Sequence, residues 1–123
     1  MLLKVELTNF TQGEKMKVLV RKSEAESPYS FIFTDKDGGA LIRSENYKQK
    51  TSCMNGVESV RKNCTVDERY ELKVAKNGKF FFNIKASNGQ IVGTSAFFDT
   101  EDERKSAITY IKRYAPKAAL EEA

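Results

Sequence analysis

Residues 77–98 read Asn77-Gly78-Lys79-Phe80-Phe81-Phe82-Asn83-Ile84-Lys85-Ala86-Ser87-Asn88-Gly89-Gln90-Ile91-Val92-Gly93-Thr94-Ser95-Ala96-Phe97-Phe98. Two Asn-Gly pairs bracket an apolar run. Asn-Gly between such runs signals a hairpin, because a type I′ turn needs positive φ at both central residues. A two-residue turn at Asn88-Gly89 sets the register. Ser87 faces Gln90, Ala86 faces Ile91, Ile84 faces Gly93 and Phe82 faces Ser95. One face then carries Phe80, Phe82, Ile84, Ala86 and Ile91, with Gly93 and Ser95 leaving room for close packing. The other carries Phe81, Asn83, Lys85, Val92 and Thr94. Such alternation belongs to a sheet covered on one side.

The stretch has an earlier, worn copy. A shift of 51 residues (89 minus 38) sets Gly89 on Gly38, Asn88 on Asp37, Phe82 on Phe31, Ile84 on Phe33, Ser95 on Ser44 and Phe98 on Tyr47. It continues without a gap into the next element, with Ala107 on Gly56, Ile108 on Val57, Ile111 on Val60 and Lys112 on Arg61. Turn, core and small-residue positions coincide together, which is the mark of an internal duplication.

Met16, Val18 and Val20 alternate with Lys17, Leu19 and Arg21, and Tyr70, Leu72 and Val74 alternate with charges in the second copy. Each predicts the first strand of a repeat. Tyr29–Thr34 and Ala40–Ser44 form the first hairpin around Asp37-Gly38. Phe31, Phe33 and Ile42 fall on one of its faces, Ile32 and Arg43 on the other. A three-residue loop, Asn77–Lys79, pairs Val74 with Phe82 and Leu72 with Ile84, and keeps the apolar side chains together.

A first helix starts within Lys50–Ser52 and runs to about Lys62, with Cys53, Met54, Val57 and Val60 as its buried stripe and Asn63 as a left-handed stop. Gly56 and its mate Ala107 are both small, which predicts close helix–sheet approach. The second helix opens on the capping box Thr100-Glu101-Asp102-Glu103, buries Ala107, Ile108, Ile111 and Ala115, and ends at Pro116. Residues 1–15 are an N-terminal extension with a strand at 2–7. The repeats span 16–66 and 67–116, and the tail 117–123 is frayed or one short extra strand.

Composition narrows the function classes. The chain has 123 residues, 40% hydrophobic and 31% charged, which suits one compact domain. Its apolar runs fall far short of the roughly 18 residues of a membrane helix. Met1-Leu2-Leu3-Lys4 gives way at once to Glu6, unlike a leader peptide, so a cytoplasmic location is expected. Cys53 and Cys64 stand about 16 Å apart along one helix, beyond disulfide reach, and fit a reducing compartment. There is no histidine, which removes Ser-His and Cys-His pairs and the commonest metal ligand. A net charge of +4 is explained equally by a mixed solvated surface and by a polyanion partner.

The motif Asn77–Ser95, followed by an aromatic and a helix, resembles the YegP-like family of small bacterial proteins. So does Ser44-Glu45-Asn46-Tyr47 followed by Gly56-Val57-Glu58-Ser59-Val60. The resemblance covers about residues 16–115. It implies tandem β-β-β-α units in one sheet, an arrangement that single-repeat members reach by dimerising, and it implies no activity. Residues 1–15 and the loop Ser23–Pro28 depart from it.

Several residues are candidates for chemistry. Phe80-Phe81-Phe82 resembles the aromatic strand of RNA-recognition modules, but Lys79 intervenes where that motif wants glycine before the ring. Phe80 and Phe82 belong to the core, and Phe81 on the other face is the candidate partner contact. Cys53 near a helix start reads as a small buried hydrophobe rather than a nucleophile. Successive acids Glu101, Asp102 and Glu103 point around the helix, so they cap it rather than chelate. Ser44 and Ser95 have no base nearby and are structural. Arg61-Lys62 and Lys112-Arg113 sit at matching helix C-termini, where they complement the dipole or form an anion patch. The dipole reading is preferred, because Glu58 four residues before Lys62 neutralises it in part.

The sequence therefore predicts an α+β fold, one largely antiparallel sheet with two helices packed on one face, from duplicated β-β-β-α units. It predicts a non-catalytic binding or assembly module that meets a protein partner through an exposed sheet face or edge. The alternative is a weak polyanion or nucleic-acid binder through Arg61, Lys62, Lys112 and Arg113, and an enzyme ranks third. No catalytic, cofactor-binding or metal-ligating residue is assigned, and no cofactor or membrane contact is expected. A monomer with an internal pseudo-two-fold is expected rather than a homodimer.

Overall fold

The computed structural model describes residues 16–122; the strand expected at 2–7 lies outside them. The elements are β1 (Met16–Lys22), β2 (Tyr29–Asp35), β3 (Ala40–Arg43), α1 (Lys50–Asn63), β4 (Tyr70–Val74), β5 (Phe80–Lys85), β6 (Ile91–Ser95), α2 (Glu101–Tyr114) and β7 (Ala119–Glu122). One seven-stranded sheet runs β4-β5-β6-β3-β2-β1-β7. Every neighbouring pair is antiparallel except β1 with β7, so the tail takes the strand form. The duplication is a spatial two-fold. Its axis passes through the central β3–β6 pair, where Arg43 faces Thr94, residues 51 apart (94 minus 43).

Both helices cover one face. Cys53, Val57 and Val60 of α1 and Ile111 of α2 join Val18, Phe31, Phe33, Ile42, Phe82 and Ile84 in one core. The capping box forms as expected: Glu103 N–H donates to Thr100 Oγ1 (3.1 Å) and Thr100 N–H to Glu103 Oε1 (3.2 Å). Gln49, at the start of α1, makes no such bond. Asn63 is not a left-handed stop. It stays helical, donates Nδ2–H to Ser59 O (2.8 Å) and accepts from Arg69 Nε (3.0 Å).

The hairpin turns differ from the expectation in a systematic way. Ala86 N–H bonds Gln90 O and Gly89 N–H bonds Ala86 O, so the loop is the three residues Ser87-Asn88-Gly89. Among the described residues only glycines have positive φ, here Gly38, Gly78 and Gly89. A type I′ turn would need the preceding Asn there too; a type I turn closed by a left-handed glycine does not. The first hairpin repeats this loop, with Asp35 N–H on Gly39 O.

The extra loop residue is compensated by a bulge. Lys85 faces Ile91, yet Ile84 faces Gly93 as expected, and Leu41 is the equivalent insertion between β2 and β3. Ala86 therefore faces Gln90, and Ile91 leaves the core face, 47% exposed. Val92 instead packs against the core. The Asn77 loop is three residues long but lies one residue earlier, because Ala75 bonds Lys79. Val74 thus faces Phe80, and Leu72 faces Phe82. The two-residue shift preserves parity, so the apolar side chains keep their face.

Each unit closes on itself through the same latch. Phe31 N–H donates to Ser44 Oγ (2.8 Å), which donates to Glu45 O (2.7 Å). Phe82 N–H donates to Ser95 Oγ (2.9 Å), which donates to Ala96 O (2.8 Å). Beyond the serines, Tyr47 bridges Tyr29 and Phe98 bridges Phe80, and their rings stack on Phe31 and Phe82 at 6.5 Å.

Two small residues permit close packing. A Cβ at Gly56 would lie 2.6 Å from Tyr47 Oη and 2.9 Å from Phe31 Cε2. A Cβ at Gly93 would lie 2.6 Å from Ile42 Cγ2. Ile42 and Gly93 are repeat mates (93 minus 42 is 51), so beside the axis one half supplies a branched side chain and the other supplies space.

Candidate functional site

The four helix-end cations are placed by the two-fold. Arg61 donates Nη1–H to Glu58 Oε2 (2.8 Å) and Nη2–H to Ala118 O (2.6 Å). Lys112 pairs with the Asp67 carboxylate and sits 5.7 Å from the Tyr70 ring centre. Under the 51-residue shift Arg61 becomes Lys112 and residue 67 becomes residue 118. Each helix end thus holds the segment that follows the other helix. Lys62 and Arg113 remain exposed, with Arg113 5.4 Å from the Tyr114 ring. Glu58 pairs with Arg61, not with Lys62.

Phe81 lies on the outer face, half-buried, and meets the exposed Phe97 edge-on at 5.4 Å. Beside it Glu71 accepts from Asn83 Nδ2 (3.0 Å) and Lys85 Nζ (2.9 Å), which hold its carboxyl below the usual range. Thr94 Oγ1 completes this polar cluster on Asn83 Oδ1 (2.8 Å).

The sheet's two ends are unequal. β7 covers the outer edge of β1, whereas among the described residues nothing pairs with the outer edge of β4. Val20 faces Phe31 and Leu72 faces Phe82, so the two are equivalent positions. Val20 is 3% exposed and Leu72 56%; Val74 is 60% exposed. Leu72 and Val74 point to the helix side, but α2 stops short of them. A groove remains, lined by Leu72, Ile108 and Thr109, with Glu101 and Asp102 at one end and Lys112 at the other.

Arg104 forms its floor. The guanidinium is buried, donates to Lys73 O (3.0 Å) and Phe81 O (3.3 Å), and lies 5.3 Å from the Phe80 ring centre. It clamps the β4–β5 ladder from above. The sequence analysis gives Arg104 no role; its signal there is its position, three residues before Ala107 on the buried stripe.

Nucleophilic chemistry finds little footing. Cys53 and Cys64 are free and fully buried, and burial raises both thiols, Cys64 to about 11. They are protonated at neutral pH. Ser44 and Ser95 are engaged in the latches. Among the described residues no three His, Cys, Asp or Glu side chains gather to hold a metal ion, and no helix is long and apolar enough to cross a membrane.

Comparison with known proteins agrees with this architecture. A family model, "Domain of unknown function (DUF1508)", matches twice, at residues 27–71 and 75–122. A UPF0339 protein of Stutzerimonas stutzeri, described as in the ptx operon 5′ region, is 45% identical over 94 residues, 76% of this chain and 85% of the relative. The UPF0339 protein YegP of Escherichia coli strain K12 is 41% identical over 88 residues, 72% of this chain and 80% of the relative. The solution NMR structure of a UPF0339 protein from Shewanella oneidensis superposes with a TM-score of 0.81 at 31% identity, covering 88% of this chain and 91% of that one. That of Escherichia coli YegP gives a TM-score of 0.80 at 35% identity, covering 88% and 92%. Two matched repeats, one shared sheet and relatives alike over most of their length place the chain in the DUF1508 family, among the UPF0339 proteins related to YegP.

Proposed function

We propose that the chain is a non-catalytic binding or assembly module that takes an extended segment of a protein as an added strand on β4. The observation carrying this is the contrast between Val20, buried where β7 lies alongside, and Leu72, its equivalent, exposed at an edge that no described strand covers. Strand addition satisfies edge amides and carbonyls and buries alternate side chains, which gives affinity and selectivity together. Burying Leu72 and Val74 fully would contribute about 1.5–3 kcal/mol each. Protonated, buried thiols support both the non-catalytic reading and a reducing, cytoplasmic setting.

Photo-crosslinking tests it. A photoreactive residue at position 72 in source cells should give protein adducts, and one at the exposed Asn55 on α1, away from the groove, should give few. Equal yields at both positions, or no adduct from position 72 in a folded chain, would reject the edge as the binding surface.

A second reading, weak polyanion binding, is favoured by the reciprocal contacts that draw the two helix C-termini together. Arg61 and Lys112 are engaged, which leaves Lys62 and Arg113. Two cations neutralise two phosphates, so the log–log salt slope on duplex DNA should be no steeper than about −1.8. No binding at low salt, or binding unchanged in Lys62→Ala/Arg113→Ala, removes this reading.

A further inference from the structure

We propose that a second copy of this chain occupies the β4 edge, with β4 pairing antiparallel to its counterpart in a register centred on Leu72. This rests on the strand-addition reading and names its partner; it departs from the monomer expected from the sequence.

Three features of β4 select that partner. The first is the direction of its backbone groups. Ala75 N–H bonds Lys79 O, so by antiparallel alternation residues 71 and 73 bond β5, and residues 72 and 74 and the Tyr70 carbonyl direct their backbone groups outward, while Tyr70 N–H is held by Asp67 O. A two-fold pairing must therefore join outward groups, which allows registers centred on residue 71, 72 or 73.

The second is charge. Centred on 71, the pairing sets Glu71 against Glu71; centred on 73, it sets Lys73 against Lys73. Centred on Leu72, it sets Glu71 against Lys73 twice, on the outer face. Opposite charges directly across a strand pair are favourable and like charges are not. One register survives.

The third is the helix face. The same register sets Leu72 against Leu72 and Tyr70 against Val74, so the exposed apolar side chains of each copy cover those of the other. The helices agree. Arg104 reaches Lys73, while Lys112 lies against Tyr70, so α2 runs opposite to β4. The two-fold then brings the Glu101–Asp102 end of one groove towards the Lys112 end of the other. The chain's own tail fits this edge less well. On β1, Glu122 is held by Lys50, and the repeat mate of Lys50 is Glu101 (101 minus 50 is 51), which would repel it.

Sedimentation velocity on the purified full chain tests the proposal. Wild type should shift towards the mass of two copies as concentration rises. The amides of Leu72 and Val74 should gain exchange protection in step, while those of Glu71 and Lys73 are protected throughout. Lys73→Glu and Glu71→Lys should each favour monomer, and an equal mixture of the two should recover the dimer, because it restores opposite charges across the edge. Glu71 also holds Asn83 and Lys85, so Leu72→Lys serves as a breaking variant that leaves that cluster intact. Wild type that stays monomeric at millimolar concentration overturns the proposal. So does a Leu72→Lys variant that associates like wild type, or a mixture of folded charge variants no more associated than its components. These results concern the second copy alone; adducts from position 72 to a different protein would sustain strand addition without it.

Discussion

Gly56→Ala should destabilise the protein even though alanine is the better helix former. A Cβ there would stand 2.6 Å from Tyr47 Oη, 2.9 Å from Phe31 Cε2 and 3.2 Å from Tyr47 Cζ. Phe31 is fully buried between Phe33 and Tyr47 and has nowhere to retreat. Overpacking of this kind costs about 1–3 kcal/mol, and two contacts below 3.0 Å put it in the upper part of that range. Removing a mid-helix glycine returns about 1 kcal/mol. The net loss is therefore about 1–2 kcal/mol. The repeat suggests the remedy: at the equivalent positions Ala107 accompanies Phe98, a ring without the hydroxyl. Tyr47→Phe should accordingly soften the effect of Gly56→Ala by about 1 kcal/mol, read as the coupling in a double-mutant cycle. Urea melts of wild type, both single variants and the double variant, with unchanged m-values, supply the four free energies. A stabilised Gly56→Ala, or zero coupling to Tyr47→Phe, would refute the close-approach argument.

Phe31→Ala and Phe82→Ala should each cost about 3–5 kcal/mol in urea melts, and the half-buried Phe81→Ala clearly less; equal losses at positions 81 and 82 would contradict the observed faces. Thr100→Ala removes the acceptor for Glu103 N–H and should cost about 1 kcal/mol, with faster amide exchange confined to the first turn of α2. The Glu71 carboxyl is held low by Asn83 and Lys85, so its contribution is complete above the ordinary carboxylate range and is lost as pH falls through the depressed value. Glu71→Gln should therefore shallow the acid limb of a stability–pH profile, and an unaltered limb would show that the cluster does not favour the ionised form.

Repeat, core and the α2 N-cap are legible because each depends on local pattern. Phe31, Phe33, Phe82 and Ile84 alternate into the core, and Thr100 lies three residues before Glu103. The loop geometry was less legible, because Asn-Gly suits both a type I′ turn and the tail of a type I turn with left-handed glycine. The second choice brought a bulge and reversed Ile91 and Val92. Leu72 and Val74 were assigned the right face, but alternation reports a face and not its cover; exposure followed from where α2 and the sheet end. Arg61 and Lys112 illustrate a further limit. Their helix-end position explains them locally, and only the two-fold discloses that each grips the other half.

Ile42 packs against its own repeat mate, Gly93, across the two-fold. Twin units meeting across an axis must place identical side chains on both sides of it. Here one unit has grown into the vacancy that the other has left, and a Cβ opposite Ile42 would already intrude to 2.6 Å. Two copies of the first unit would collide at this point, and two copies of the second would leave it hollow. Each unit has become the other's mould, and selectivity of that kind comes from the mismatch as much as from the fit. Neither unit could stand in for the other without repacking the atoms at the centre of the sheet.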